Sequence, residues 1–122
     1  MTEKNATPLS SQITAIGQLA DIFDEGLLLT NTDGVVLSAN QVAAQLFESD
    51  IVSKSIFDVI GDKRFGTAFH KTALKRKEVE IPYRSKDDAI EREFKLRIKR
   101  LGDGPVALLF LDLTRQKNLE AV

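Results

Sequence analysis

The residues able to do chemistry in this chain are few. Among 122 residues there is one histidine, His70, and no cysteine. Thiol catalysis, disulfides and cysteine-ligated zinc are therefore excluded, and the usual residue types supply neither a catalytic triad nor a metal cluster. The carboxylates of Asp21, Asp24 and Glu25, of Asp87 and Asp88, and of Glu91 and Glu93 fall in expected turns or on alternating exposed faces. That pattern reads as solvation and not as a paired acid and base. Gly102 and Gly104 precede an apolar run, whereas a phosphate-cradling loop is longer and opens a helix, so they read as a turn. Lys71, Lys75, Arg76 and Lys77 make a basic helix end, a solvated face that suits the helix dipole, with weak partner contact as the second reading. No catalytic residue is assigned, and the chain by itself is not expected to be an enzyme.

A connector is easier to see. Val106-Ala107-Leu108-Leu109-Phe110-Leu111 is a continuous apolar run, which predicts a central strand buried on both faces. Asp112 and Thr114 follow it, with side-chain oxygens of the kind that cap a helix N-terminus. Arg115-Gln116-Lys117-Asn118-Leu119-Glu120 is then polar and helix-compatible. The chain thus turns a buried strand into an outgoing helix, and it reads as a trimmed piece of a longer protein.

Composition narrows the setting. The formal net charge is -1, so no overall basic field draws the chain to nucleic acid or to an anionic membrane. Apolar runs are too short to span a bilayer. The N-terminus, Met1-Thr2-Glu3-Lys4-Asn5, lacks the layout of a signal peptide. The expectation is a cytoplasmic domain with no nucleic-acid partner and no membrane contact by this segment.

The periodicities set the elements that position these residues. Residues 1–11 read as a flexible arm. Ile13, Ile16, Leu19, Ala20 and Phe23 recur at helical spacing, with Ser10 or Ser11 as the cap and Gly26 as the stop. Leu27–Thr30 and Val35–Ser38 are short strands around Asn31-Thr32-Asp33-Gly34, where Asp-Gly signals a hairpin. Asn40 caps a helix whose inward positions are Ala43, Ala44, Leu46 and Phe47. Ile56, Phe57, Val59 and Ile60 form a helical turn. Asp62 opens a longer helix to about Lys77, with Phe65, Ala68, Phe69, Thr72 and Ala73 on one face. The period then changes to two: Val79, Ile81 and Tyr83, then Phe94, Leu96 and Ile98, alternate with polar residues around a Ser85–Asp88 turn. Runs of antiparallel strands separated by a helical block indicate an α+β fold. The helices cannot cover both sheet faces, and the N-terminal helix is the obvious cover for the second, from this chain or from a partner.

In this order, the segment from Asp24 through the hairpin to the Ala39-Asn40 helix start and on to Phe47 resembles the opening of a PAS domain. Asp112-Leu113-Thr114 resembles the Asp-x-Thr signature that follows the last PAS strand, and residues 115–120 resemble the outgoing signalling helix. The likeness is greatest to PAS domains of bacterial sensor histidine kinases of the phosphate-regulon type. It implies a five-stranded antiparallel sheet in the order 2-1-5-4-3 with helices on one face. Residues 12–113 are then the domain with its N-terminal helix, and 114–122 the start of the signalling helix.

The resemblance also implies roles. Asp112 and Thr114 become the signal-transmission residues, tying the last strand and the helix root to the domain. A ligand pocket, if present, lies between the sheet and Phe47, Ile56, Phe57, Phe65 and Phe69, although such aromatics more often fill a core. Ile13, Ile16, Leu19 and Phe23 become a homodimer interface together with the exposed sheet face. Some oxygen-sensing members of the family hold haem through a histidine on the corresponding helix. Here His70 falls about 140° round the helix from Phe65, away from the apolar stripe, so haem is not expected. With no cysteine for a flavin or coumarate adduct, no cofactor is expected. The functional expectation is a sensory and dimerisation module that regulates a downstream histidine kinase in two-component signalling and contacts the kinase dimerisation helix. The alternatives are a small-ligand sensor, or an interaction module attached to a transcription regulator.

Overall fold

A computed structural model describes residues 9–47, 50–86 and 91–113, without the side chains of 9–14, 16, 85, 86 and 91. The elements are α1 (Leu9–Ile22), β1 (Gly26–Thr30), β2 (Val36–Ala39), α2 (Gln41–Phe47), α3 (Ile56–Val59), α4 (Lys63–Lys75), β3 (Val79–Lys86), β4 (Glu91–Arg100) and β5 (Val106–Asp112). The strands form one antiparallel sheet in the order β2-β1-β5-β4-β3. Fold class and strand order are those the resemblance implied.

Register explains how the alternating strands make a core. Leu28, Leu108, Ile98 and Val79 stand side by side across four strands, and Gly26, Phe110, Leu96 and Ile81 form the next row. Phe65, Ala68, Phe69 and Ala73 of α4 close over these rows together with Ile56 and Ala43. Gly26 leaves room for its neighbours, since an added Cβ would lie 3.2 Å from Leu46 and 3.4 Å from the Phe110 Cβ. The opposite face reads Leu27, Leu109, Arg97 and Glu80 across the same strands. It is apolar at one side and charged at the other.

That division corrects one expectation. β5 is not buried on both faces: Val106, Leu108 and Phe110 are buried, whereas Ala107, Leu109 and Leu111 are half-buried. The strand buried along its whole length is β1. The reason lies in α1, which packs on the outer face against β1, with Ala20 buried and Gly17 beside Asn40. Two boundaries also differ from the sequence reading. α1 starts at Leu9, ahead of the expected serine caps. α4 stops at Lys75, where Arg76 takes a left-handed conformation (φ 56°) and its N–H donates to Thr72 O.

The sheet edges are closed differently. The loop after α2 lies along β2, with Val36 N donating to Lys54 O and Ser53 N to Val36 O. β3 is the other edge, and Pro82 sits in its middle. Proline has no N–H to give β4, so it occupies the outward-facing set of positions, where no ladder bond is lost.

The β1–β2 connection shows how local chemistry fixes a turn. Asn31 Oδ1 accepts from Asp33 N at 3.0 Å and Val35 N at 2.9 Å. Gly34 follows with φ 90°, a conformation that side chains resist. A Cβ there would also come within 2.6 Å of the Phe57 ring. Gly34→Ala is expected to destabilise the domain by about 1–3 kcal/mol. Gly61→Ala, with nothing within 4 Å of the added carbon, should change stability by no more than about 0.5 kcal/mol. Urea unfolding of the two variants checks the contrast.

Candidate functional site

Asn40 holds the segments that meet at the incoming end of the sheet. Its Oδ1 accepts from Leu27 N and from Ala43 N, both at 2.9 Å. Its Nδ2 donates to Glu25 O at 2.7 Å and to Gly17 O at 3.4 Å. The bond from Ala43 is the helix cap that the sequence spacing anticipated; the other three join α2 to β1 and to α1. An amide supplies two acceptor sites and two donors, and this site uses all of them.

The outgoing end is built around Asp112. It closes β5 opposite Phe94 instead of standing beyond the strand, as the cap reading had it. Its Oδ2 accepts from Arg92 Nη2 at 2.9 Å, and the Asp112 side chain is only 14% exposed. The Arg92 guanidinium lies 5.6 Å over the Phe94 ring, a geometry with cation–π attraction. Asp24, Val42, Gln45 and Leu46 line the same cavity of about 210 Å³. The last residue of the central strand is therefore gripped by the second residue of β4, beside α2 and the α1–β1 junction. Thr114 lies outside the described residues.

The five expected pocket residues fall into two packed groups. Phe47 meets Phe110 edge-on at 5.8 Å and Tyr83 at 6.4 Å. Phe57 packs with Phe69 at 5.2 Å and Phe65 at 6.1 Å. Ile56, Phe65 and Phe69 are fully buried. A separate cleft of about 530 Å³ lies between the α3–α4 link and β3, lined by Val59, Ile60, Asp62, Arg64, Pro82 and Tyr83 among others. Burial raises the Tyr83 phenol above its usual pKa, so it stays protonated. His70 is exposed, and its ring stacks on Phe57 at 5.4 Å instead of entering the core. Among the described residues no group of three His, Cys, Asp or Glu side chains is arranged to hold a metal. No helix among them is long and apolar enough to cross a membrane.

The outer sheet face carries a groove of about 380 Å³ between α1 and β5, where Leu27, Ala107 and Leu109 form an apolar floor. Leu19 and Phe23 stand beside it, 58% and 69% exposed; the side chains of Ile13 and Ile16 lie outside the described residues. Arg97 borders the groove and pairs with Glu80 at 2.7 Å and Glu78 at 3.3 Å. Hydrogen bonding to Arg97 holds the Glu80 carboxyl below the usual carboxylate range. The pair thus supports the fold above the ordinary glutamate pKa and loses that support as pH falls through the acid range.

Sequence reasoning missed Arg92 and the wider reach of Asn40. The alternation read from the sequence begins at Glu93 and leaves Arg92 unassigned, although it stands two residues before Phe94 on the same face of the strand. Its partner is fixed by the β4–β5 register, which a sequence pattern does not state.

Comparison with known proteins places this geometry. No protein-family model matches the chain, and no curated protein does. Solved structures do, and the fold they share with it is the PAS fold. The PAS domain of BvgS from Bordetella pertussis is similar with a TM-score of 0.60 at 16% identity, covering 91% of this chain and 98% of that one. A domain of a sensory box sensor histidine kinase/response regulator from Geobacter sulfurreducens gives 0.65 at 11% identity, covering 88% and 100%. The photoactive yellow protein domain of the sensor histidine kinase Ppr from Rhodospirillum centenum gives 0.64 at 11% identity, covering 75% and 94%. At such identities the likeness is one of fold.

Replacing the Asn40 amide by a carboxylate tests the seam. Asn40→Asp keeps both acceptors but turns a charge toward the Glu25 and Gly17 carbonyls. We expect a loss of about 2–4 kcal/mol near neutral pH, from two lost donors and an unpaired buried charge. The new carboxyl has a folded-state pKa above its unfolded value, so the deficit shrinks as pH falls and it protonates. Denaturant unfolding at pH 7 and pH 4.5 measures both effects.

Proposed function

We propose that this chain is a sensory PAS module that regulates a downstream histidine kinase, of the phosphate-regulon kind, in cytoplasmic two-component signalling. The observation that carries the reading is the grip of Arg92 on Asp112 at the end of the central strand. A module that passes a signal outward needs its last strand tied to the body, so that a small change in the core moves the outgoing segment. Phe110, two residues before Asp112, touches Phe47, Tyr83 and Phe94 within 6.3 Å. Core repacking therefore has a short mechanical route to the exit. Thr114 is assigned the second half of the tie, and residues 114–122 the root of the helix that meets the kinase dimerisation helix.

The signalling unit in this reading is a homodimer. The exposed Leu19 and Phe23 stand beside an apolar groove in the same face. A surface carrying both a ridge and a matching groove suits a two-fold pairing of like patches. Ile13 and Ile16 extend the same stripe in sequence.

Two measurements test the proposal. In a chimera joining the chain to a histidine-kinase core, Asp112→Asn and Arg92→Gln are expected to change the ratio of stimulated to basal autophosphorylation several-fold. Each should cost the domain no more than about 2 kcal/mol. Wild-type output from both variants under every input condition refutes the transmission role. Sedimentation should show the wild type as a dimer at high concentration and the Leu19→Glu, Phe23→Glu double variant as a monomer. A monomeric wild type at millimolar concentration removes the dimer from the reading.

A further inference from the structure

The outward face of α4 is built against its own helix. Phe65, Ala68, Phe69, Thr72 and Ala73 are buried, while Lys63, Arg64, Thr67, His70, Lys71, Leu74 and Lys75 are all exposed. Residues 62–77 hold six cations (Lys63, Arg64, Lys71, Lys75, Arg76 and Lys77) against the single carboxylate of Asp62, a net charge of +5. The whole chain carries -1, which leaves -6 for everything else. This stretch departs from the rest of the chain because its six cations face a single carboxylate.

Two local rules are broken to achieve this. Lys63 and Arg64 occupy the first turn, where the helix dipole favours anions. Lys71 and Lys75 are like charges four residues apart, a spacing that places them side by side. Arg64 turns back to Asp62 at 3.2 Å and Arg76 pairs with Asp103. Lys63, Lys71, Lys75 and Lys77 have no ion-pair partner within 4.0 Å among the described residues. Amid these lysines Leu74 projects 74% exposed, the most exposed large apolar side chain described. The buried stripe already fixes α4 in place, so folding does not call for this outer face. Residues that break local rules without a folding gain mark function.

We propose that the exposed face of α4 docks an acidic amphipathic segment of a partner protein, with carboxylates over Lys63, Lys71 and Lys75 and an apolar side chain over Leu74. The patch is about 18 Å long from Lys63 to Lys75 at 1.5 Å per residue, the length of a short helix. The shape of the charge favours a protein over the other polyanions. A net -6 elsewhere repels the long-range field of a duplex or an anionic bilayer, whereas a short acidic segment meets only the helix face. One apolar anchor suits a single pocket or ridge on a protein, and it is too little to hold a membrane surface.

The test uses the 122-residue chain, labelled with nitrogen-15. The probe is a 14-residue Glu-rich peptide carrying two leucines four positions apart, and the control is the same peptide with glutamine for every glutamate. Saturable shifts are expected at Lys63, His70, Lys71, Leu74 and Lys75, with affinity falling as salt rises. Lys71→Glu places a glutamate four residues before Lys75, a favourable helix pair, so its melting temperature should not fall. Its affinity for the peptide should drop about tenfold or more, as losing a charge-assisted contact implies. Leu74→Ser should weaken binding by about fivefold at high salt, where the apolar contact carries more of the total. Peptide affinity unchanged within twofold in Lys71→Glu, or equal binding of the glutamine control, overturns the proposal. So does tighter binding of a 20-base-pair duplex, or of vesicles with one-third phosphatidylglycerol, through the same residues.

Discussion

The fold depends on the four-way bonding of one side-chain amide. β1 is buried along its whole length, and its backbone must be satisfied where α1, β1 and α2 converge. Asn40 meets that need from one position: it accepts from β1 and from the first turn of α2, and it donates to the carbonyls of Glu25 and Gly17. A buried polar group satisfied on every side rigidifies its surroundings. The consequence reaches the outer face, because α1 is held over β1 and stops short of β5. The groove beside Leu109 and the half-burial of β5 follow from where that amide anchors the helix.

The two ends of the domain are linked by geometry more than by chemistry. Asp24 at the α1–β1 junction and Asp112 at the end of β5 line one cavity with Arg92. The α1–β1 junction and the end of β5 are thus neighbours across one cavity, with Arg92 on its wall. Arg92 stays over Phe94, whose ring meets Phe110 edge-on. The ionic pair thus lies directly against the aromatic core.

Much of this is legible in the sequence. The period-two runs of β3 and β4 and the helical stripe of α4 stand in the sequence, because each is decided by residues close along the chain. The half-burial of β5 is not legible in the sequence, for the opposite reason. Ala107 and Leu109 are apolar, and their half-burial depends on the placement of α1, a distant element. The Arg92–Asp112 pair was invisible for the same reason: twenty residues separate the partners, and register alone brings them together. The aromatics show a third limit. Phe47, Ile56, Phe57, Phe65 and Phe69 have the composition of a pocket and of a plug alike, and only the ring distances show Phe57 packed on Phe65 and Phe69, and Phe47 packed apart from them on Phe110 and Tyr83.

Pro82 carries a consequence beyond the strand it occupies. β2 is shielded by its neighbouring loop, so β3 is the edge on which an incoming strand could template itself. The outward positions of β3 alternate, and the central one has no hydrogen to offer. A foreign strand aligned there would find its ladder broken at the midpoint. Edge-to-edge sheet growth, which has no natural end, is thereby disfavoured on this side of the sheet.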